Sequence, residues 1–452
     1  MRLFLRGFAG YEEARVGRVF NRRRPERYPA AVLIATSAGD VAEGVRLARE
    51  RGWTVSVRSG GHSWAVWSVR DDALLIDLEE LNTITYDEDS GIAVAGPAVR
   101  GGQELAPFLA GRGRSFPGGH CPSVGIGGFL LQGGQGWNSR SKGWACESVV
   151  AVDVVTAAGE QLRCDANQNS DLYWAARGAG PGFPAIVTAF HLRTYPAYPH
   201  LWHDTWSFSP GDGEQLLSWM HELLPKLDRR VEPVIAATRL PNVPLDEGVT
   251  HPGTVLLLHT TVMVSSPEEA ADLLRVFDGC PVPALGHVRG ETSIEQENAA
   301  QAEQNPEGYR YAVDCTWTDA PAARLAPPLL RLWRELETTH SFSIWYGWAP
   351  NRPLPDMAFS VEGNVYIATY AIYQDAADDE KYRGWVHERT AAIAAEGGVG
   401  VYLGDTDFTG RQDRFLSDAN YRRLEEIRAK WDPERRFESY LTADPERLNV
   451  HD

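Results

Sequence analysis

Two glycine-rich segments, residues 57–63 and 117–128, constrain this chain more than any other feature of its sequence. Consecutive glycines let several backbone N–H groups converge on a phosphate with no side chain in the way. The first segment follows residues 53–57, whose alternating pattern predicts a strand. Each segment also contains a side chain that can bond to a ligand, His62 in the first and Cys121 in the second. We therefore expect both segments to hold a dinucleotide.

The two segments and the glycines that follow them form the predicted cofactor-binding set. Its members are Arg58, Ser59, Gly60, Gly61, His62, Ser63, Gly119, His120, Cys121, Val124, Gly125, Gly127, Gly128, Gly133, Gly134 and Gly136. Taken alone, either segment is equally compatible with a surface turn, and Cys121 with a small buried apolar residue, as free cysteines usually are. The presence of both segments, in this order, makes coincidence improbable.

Motifs for other cofactors and for metals are missing from the sequence. No intact GxGxxG is present, because the glycines at 178 and 180 are followed by Phe183 and those at 125 and 127 by Leu130, so a Rossmann fold is unsupported. There is no GxxxxGK[ST], HExxH or CxxC motif and no GxSxG elbow, so neither a metal site nor a serine hydrolase is predicted. FAD remains as the ligand that the glycine loops require.

Charge and composition exclude several classes of partner. The formal net charge of −17 opposes binding to a nucleic-acid backbone. Five cysteines without CxxC pairs indicate reduced thiols rather than a disulfide framework. The first residues are interrupted by charge too early for a signal peptide, and no stretch is long enough to span a bilayer. We expect a cytoplasmic protein without nucleic-acid or membrane partners.

The hydrophobic pattern predicts alternating strands and helices along the chain. Strands are expected at residues 31–35, 74–78, 92–95, 186–192, 254–258 and 365–370, with a hairpin at 149–164. Helices are expected at 40–51, 101–111, 267–277, 322–337 and 420–431. The region after Pro199 is rich in aromatic residues that either line a substrate cavity or, as is commoner, belong to the core. They are Trp202, Trp206, Trp317, Trp345, Tyr346, Trp348, Tyr366, Tyr370 and Tyr373.

Both glycine loops resemble those of the berberine-bridge-enzyme-like branch of the flavin oxidases that share the p-cresol methylhydroxylase and vanillyl-alcohol oxidase fold. The resemblance extends over most of the chain and includes residues 153–159, 171–178 and 420–433. It implies an α+β fold with a two-part FAD-binding domain, formed by residues 1–198 and 398–452. Residues 199–397 would form an inserted substrate domain, an antiparallel sheet covered by helices.

Within that branch, the chain is similar to the members whose FAD is attached twice. The resemblance implies that His62 bonds the flavin 8α carbon and that Cys121 bonds the C6 carbon. Two bonds would fix the ring system and leave the cleft open enough for a bulky substrate, while the protein positions and electrostatically tunes the cofactor. His120 and His191 are either polar neighbours of the flavin or, as is commoner, structural histidines.

The catalytic base is expected in a segment that members of the family use to face substrate and flavin, with the pattern Tyr-x-Asn-Tyr. Here Tyr402 matches the first tyrosine, Gly404 replaces the asparagine and Asp405 replaces the second tyrosine. Tyr402 and Asp405 are therefore the predicted catalytic residues, and a buried carboxylate with a raised pKa would suit the task. The alternative is that Asp405 and Asp407 only shape a turn.

The resemblance implies an oxidase that transfers a hydride from an alcohol-type or amine substrate to flavin N5 and reduces O₂ to H₂O₂. Val124 favours oxygen as the acceptor, because in relatives a valine at this position accompanies oxidases and a bulkier residue accompanies dehydrogenases. A dehydrogenase of the same fold and a protein that has lost catalysis, with or without flavin, are the alternatives. The closing residues 437–440 depart from the family pattern, so the substrate is not predicted.

Overall fold

The computed structural model describes residues 1–240, 244–246, 249–250 and 253–441. Three main sheets with helices packed on them form the molecule, which confirms the expected mixture of helices and sheets. The end of the predicted C-terminal segment 398–452 lies outside the described residues. The division of the chain at residues 198 and 397 stays a prediction.

A four-stranded sheet carries the first glycine loop. Its strands lie in the order Arg2–Leu5, Ala31–Ile34, Leu74–Asp77 and Val55–Arg58, of which the last three are parallel. The helix Ala38–Arg51 connects two of these strands; the side chain of Ser37 caps its first turn, and Gly52 ends it with a φ of 69°. The loop that contains His62 therefore starts at the carboxyl end of a buried strand.

An antiparallel five-stranded sheet packs against the first sheet. Its strands lie in the order Ile84–Asp87, Ile92–Ala95, Ala185–Arg193, Val149–Thr156 and Gln161–Asp165. The predicted hairpin is confirmed, and Gly159 adopts a φ of 78° in its turn, a region that glycine enters without steric cost. Val155 and Ile186 share one core cluster with Leu33 and Ile76 of the first sheet, so the two sheets form a continuous body.

The largest sheet has eight antiparallel strands. Their order is Gly286–Thr292, His200–Phe208, Gly253–Val264, Val231–Leu240, Phe342–Gly347, Val365–Tyr373, Arg310–Thr318 and Gly398–Gly400. Four helices supply apolar residues to the cores on one face: Gly213–Leu223, Pro267–Leu274, Ala322–Arg334 and Asp379–Ala394. Because successive side chains of a strand point to opposite faces, the second face is free to form the wall of a cavity.

The remaining elements of the described residues are further helices and two short ribbons. The remaining α-helices are Tyr11–Val16, Ala106–Ala110, Ile126–Leu131, Ser139–Lys142, Ser170–Ala175, Ile294–Gln304 and Asp418–Trp431. Short 3₁₀ helices lie at Ala145–Ser148, Gly180–Gly182, Pro210–Asp212, Leu224–Lys226, Arg275–Gly279, Ala376–Asp378 and Leu403–Asp405. Two-stranded ribbons join Arg114–Ser115 with Tyr195–Pro196, and Pro244–Asp246 with Val249–Thr250. None of the helices in the described ranges has the length and apolar character needed to cross a membrane.

The predicted strands are confirmed, although two of them continue beyond their expected ends, to Val264 and Tyr373. The predicted helix at 101–111 is wrong in its first half, where Gly101–Leu105 is a π-helix and only Ala106–Ala110 is α-helical. The N–H of Leu105 donates to the carbonyl of Arg100, five residues back, while the N–H groups of residues 101–103 donate to the carbonyls of Pro122 and Val124 in the second glycine loop.

Candidate active site

A cavity of about 950 Å³ lies between the two glycine loops and the free face of the eight-stranded sheet. It is large enough for a dinucleotide-sized ligand to be mostly enclosed. Of the predicted site residues, those that line it are Arg58, Ser59, Gly60, Gly61, His62, Ser63, Gly119, His120, Cys121, Val124, Gly125, Gly127, Gly128, Tyr402 and Asp405. The structure therefore brings both loops and both predicted catalytic residues to one chamber.

The two glycine loops touch each other backbone to backbone. A Cβ on Gly60 would lie 2.5 Å from the nitrogen of Gly125, and a Cβ on Gly125 would lie 2.8 Å from the Cα of Gly60. Gly61 adopts a φ of 77° and faces the carbonyl of Arg18. Only glycine allows this approach, since real Cβ atoms are not found at such distances. The loops thus form one continuous cradle along the cavity.

Other members of the predicted set have supporting roles. The guanidinium of Arg58 turns away from the cavity and donates to Asp77 at 2.6 Å and to the carbonyl of Arg15 at 2.6 Å. Gly133, Gly134 and Gly136 do not line the cavity, because each packs against neighbouring residues behind the second loop. Their lack of side chains serves close packing, and their role in cofactor binding stays a prediction.

His62 faces the cavity in its neutral form. Its imidazole stacks on Phe20 with 4.4 Å between ring centroids. Burial, together with the positive charge of Arg100, lowers the pKa of His62 to about 4. A neutral imidazole has a free nitrogen lone pair and can act as a nucleophile or a hydrogen-bond acceptor at physiological pH.

Cys121 lies on the second glycine loop, and its thiol is protonated. Its Sγ is 3.7 Å from the hydroxyl of Ser123, and burial raises its pKa despite this contact. His120 beside it packs edge-on against Trp137 at 4.3 Å, and burial lowers its pKa to about 4. His120 and Cys121 therefore present two uncharged side chains to the cavity.

His191 is not a neighbour of this site. It lies in the five-stranded sheet, where its Nε2 is 2.9 Å from Asp153 and 2.9 Å from Arg163, and it does not line the cavity. The structural interpretation of this histidine is the correct one, whereas His120 does face the cavity.

Asp405 is a buried carboxylate surrounded by donors. The indole of Trp64 donates to its Oδ1 at 2.9 Å, and the hydroxyl of Tyr366 donates to its Oδ2 at 2.6 Å. Tyr370 also donates to it. Burial raises the pKa of Asp405, and these three hydrogen bonds counteract part of that rise. Such a group can take up a proton more readily than an exposed aspartate.

Tyr402 stays protonated across the physiological range. Its hydroxyl accepts the backbone N–H of Gln135 at 3.4 Å. Burial and the charge of Asp405 raise its pKa. Asp407, in contrast, does not line the cavity and accepts a hydrogen bond from Arg23 at 2.9 Å. Asp405 and Asp407 thus have different surroundings, although they are two residues apart.

The wall opposite the loops follows the alternation of the eight-stranded sheet. Its side chains include Thr205, Glu232, Val234, Ala236, Leu257, His259, Thr261, Ile344, Tyr346 and Tyr370. Of the predicted aromatic residues only Tyr346 and Tyr370 line the cavity, so the core interpretation is correct for most of the set. Glu232 accepts the N–H of Asn138 at 2.7 Å and the hydroxyl of Tyr346 at 3.1 Å, and burial raises its pKa.

Sequence reasoning did not identify several polar residues of the site, among them Trp64, Glu232 and His259. Trp64 is two residues from His62 and is the one member with a local signal. The others occur singly on strands far apart in the sequence, so only the sheet register brings them together.

The comparisons with known proteins agree with this geometry. A family model described as an FAD binding domain matches residues 29–165. The chain is 36% identical over 438 residues to the FAD-linked oxidoreductase janO of Penicillium janthinellum, covering 96% of this chain and 95% of that protein.

Solved structures confirm the expected fold. 6-Hydroxy-D-nicotine oxidase of Arthrobacter nicotinovorans matches with a TM-score of 0.83 at 23% identity, covering 98% of each chain. BBE-like 1 of Physcomitrella patens matches with a TM-score of 0.82 at 20% identity, covering 100% of this chain and 97% of that one.

The residues of the cavity fit an FAD molecule. The glycines of the two loops line the cavity with backbone alone, as a pyrophosphate site requires, and the cavity continues beyond them to Asp405. Similarity to janO extends over nearly the whole of both proteins. The chain therefore belongs to the FAD-linked oxidoreductases and is an FAD-dependent enzyme.

Proposed function

We propose that this enzyme is an oxidase that removes a hydride and a proton from an alcohol-type substrate, such as a sugar or a secondary-metabolite hydroxyl, and that O₂ is its electron acceptor. The observation that carries the proposal is Asp405, a buried carboxylate that opens on the same cavity as both glycine loops. Oxidation of a C–H next to oxygen requires a base for the hydroxyl proton, and Asp405 is placed to be one.

FAD held between the two glycine loops would supply the hydride acceptor, and the two electrons, with the two hydrogens taken from the substrate as hydride and proton, would convert O₂ to H₂O₂. Asp405 takes the substrate hydroxyl proton, so that a carbonyl forms as the C–H and O–H bonds break. Tyr402 remains protonated and donates a hydrogen bond that orients the substrate oxygen. Trp64 and Tyr366 hold the carboxylate of Asp405 in position. The wall residues of the sheet enclose the substrate and exclude water.

We further propose that FAD is bonded to His62 through its 8α carbon and to Cys121 through its C6 carbon. Three observations support this arrangement. Both side chains line the same cavity, and the loops that carry them are in direct contact at Gly60 and Gly125. The lowered pKa of His62 keeps its imidazole neutral, as bond formation at nitrogen requires. The structural neighbour 6-hydroxy-D-nicotine oxidase acts on an amine, so an amine substrate is the second candidate.

The test compares two aspartates of one loop. A substrate is first chosen by anaerobic screening of sugars, alcohols and amines for bleaching of the flavin. Asp405→Asn should then slow flavin reduction by about 10²–10⁴-fold with the oxidised spectrum intact, the usual contribution of a general base. Asp407→Asn is the matched control and should leave the reduction rate of the folded protein unchanged. If Asp405→Asn reduces at the parent rate, Asp405 is a turn residue and the proposed step is wrong.

A further inference from the structure

Two neighbouring strands place a pair of histidines on the cavity face of the eight-stranded sheet. His203 lies opposite Thr261, and His259 lies opposite Thr205, in the antiparallel register of His200–Phe208 with Gly253–Val264. The two histidines are therefore diagonal neighbours on one face, where long side chains reach each other. Their ring centroids are 5.9 Å apart.

The helix Ile294–Gln304 supplies an acidic partner above these histidines. Glu297 places Oε1 3.0 Å from Nδ1 of His203 and Oε2 3.3 Å from Nε2 of His259. The three potential ligand atoms all lie within 4.8 Å of one another. Ligand atoms around a tetrahedral zinc ion, with bonds of about 2.1 Å, are about 3.4 Å apart. The observed spacing therefore requires only small side-chain movements to surround an ion.

A contact with Thr205 orients the imidazole of His259. Nδ1 of His259 is 2.8 Å from the hydroxyl of Thr205, so its Nε2 is directed at Glu297. Metal-binding histidines characteristically use their other ring nitrogen in such a contact. Glu297 is buried, and each of its two carboxylate oxygens contacts one of the histidines.

We propose that His203, His259 and Glu297 form a binding site for a divalent transition-metal ion, with Zn²⁺ the ion that best suits two imidazoles and one carboxylate. His259 and Glu297 line the cavity. Three protein ligands leave a coordination position open on that side, which water or a substrate oxygen can take. The site borders the same cavity as the flavin loops, and its metal binding can be tested without assuming the proposed oxidase activity.

Without a metal, the same three residues form a contact cluster in which Glu297 bridges the two histidines. His200 lies on the same strand as His203 and is 2.6 Å from Glu291 of the neighbouring strand. This pair is a histidine–carboxylate contact without a third potential ligand. It provides the matched control.

The experiment titrates the purified flavin-containing protein, after treatment with a chelator, with Zn²⁺ in a calorimeter and measures retained zinc by elemental analysis after gel filtration. We expect one Zn²⁺ per chain for the parent and for His200→Ala. His259→Ala and Glu297→Gln should lose this binding while keeping the parent's circular dichroism. Co²⁺ should give visible absorption bands of a nitrogen- and oxygen-ligated ion only where Zn²⁺ binds.

Two results would overturn the proposal. Parent protein that retains no zinc would show that the cluster is an ion pair only. Equal zinc binding by the parent and by a His203→Ala/His259→Ala double variant would place the ion elsewhere. Neither result would bear on the oxidase proposal, because no turnover is measured. If a single variant does not fold, His203→Gln, which keeps a polar side chain of similar length, provides the substitute.

Discussion

Burial and hydrogen bonding shift the pKa of Asp405 in opposite directions. Burial raises the pKa of its carboxyl group, and the donors Trp64, Tyr366 and Tyr370 lower it. Only the ionised carboxylate accepts a proton, so flavin reduction should rise as the pH increases through the pKa of Asp405. The balance between the two effects therefore sets the lower limit of the enzyme's working pH.

Tyr366→Phe removes one of these donors and should raise the pKa of Asp405 further. The rising limb of the pH profile of anaerobic flavin reduction should consequently move to higher pH, with the limiting rate at high pH largely kept. Tyr373→Phe is the control, because Tyr373 lies on the same strand but donates to Asp379 at 2.9 Å, away from the cavity. Coincident profiles for the parent and Tyr366→Phe would argue against Asp405 as the base.

Val124 offers a test of the electron acceptor. It lines the cavity between the two glycine loops, where one additional methylene group can close a passage of the size of O₂. We expect fast reoxidation of the reduced parent enzyme with release of H₂O₂, and reduced flavin that persists for minutes in air in Val124→Leu. Val124→Ala, the smaller control, should stay fast. Slow reoxidation of the parent in stopped-flow mixing would favour a dehydrogenase.

A local signal in the sequence, the two glycine-rich segments, predicts His62 and Cys121, whereas the family resemblance predicts Asp405. All three line the cavity. Glu232 and Glu297 carry no such signal, because their partners are brought to them by strand register or by a helix that crosses the sheet.

The contact between the two glycine loops makes them one structural unit. Gly60→Ala would place a Cβ against the backbone of Gly125, where no flexible side chain can move aside. We expect the loops to separate, at a cost of about 1–3 kcal/mol for an overpacked contact, with a large fall in flavin content. Gly101→Ala is the control, since its nearest neighbour would be 3.8 Å away. Flavin-to-protein absorbance ratios measure both, and an equal ratio would contradict this interpretation.

Strands with a regular pattern were predicted, whereas Val231–Leu240 and Arg310–Thr318 of the large sheet were not. Val231–Leu240 contains Pro233, which normally argues against a central strand. Its ladder with Phe342–Gly347 begins only at Val234, so the missing N–H of Pro233 leaves that ladder intact. Arg310–Thr318 is almost entirely buried and therefore lacks the alternation that reveals a strand. Because this strand is packed on both faces, its sequence lacks the alternation of apolar and polar residues that predicts a strand.

Residues 428–438 contact the N-terminal half of the chain in the folded molecule. Val55 pairs with Phe437 in an isolated bridge, and the hydroxyl of Thr54 donates to Glu438 at 2.7 Å. Arg428 donates to the carbonyl of Gly182 at 2.6 Å. The expected return of the C-terminal segment rested on family resemblance, because no local pattern in the sequence indicates contacts between residues so far apart.

Attachment of the cofactor is a property of the whole folded chain, since both loops must close on one flavin. His62→Ala and Cys121→Ala should each keep a yellow colour after acid precipitation, held by the remaining bond, whereas the double variant should release its flavin. Cys280→Ala, which changes a cysteine outside the cavity, should behave as the parent. Peptide mapping by mass spectrometry identifies the bonds, and flavin found on neither residue would refute double attachment.

The alternation of side chains in the eight-stranded sheet also has an evolutionary consequence. Val234 and Ala236 face the cavity, whereas Ile235 and Ala237 belong to the helix-covered core. Mutations at the first pair alter what the chamber admits, and mutations at the second pair alter whether the chain folds. During evolution, substitutions at the cavity-facing positions of a strand can therefore change the substrate, while the residues of the helix-covered core are retained.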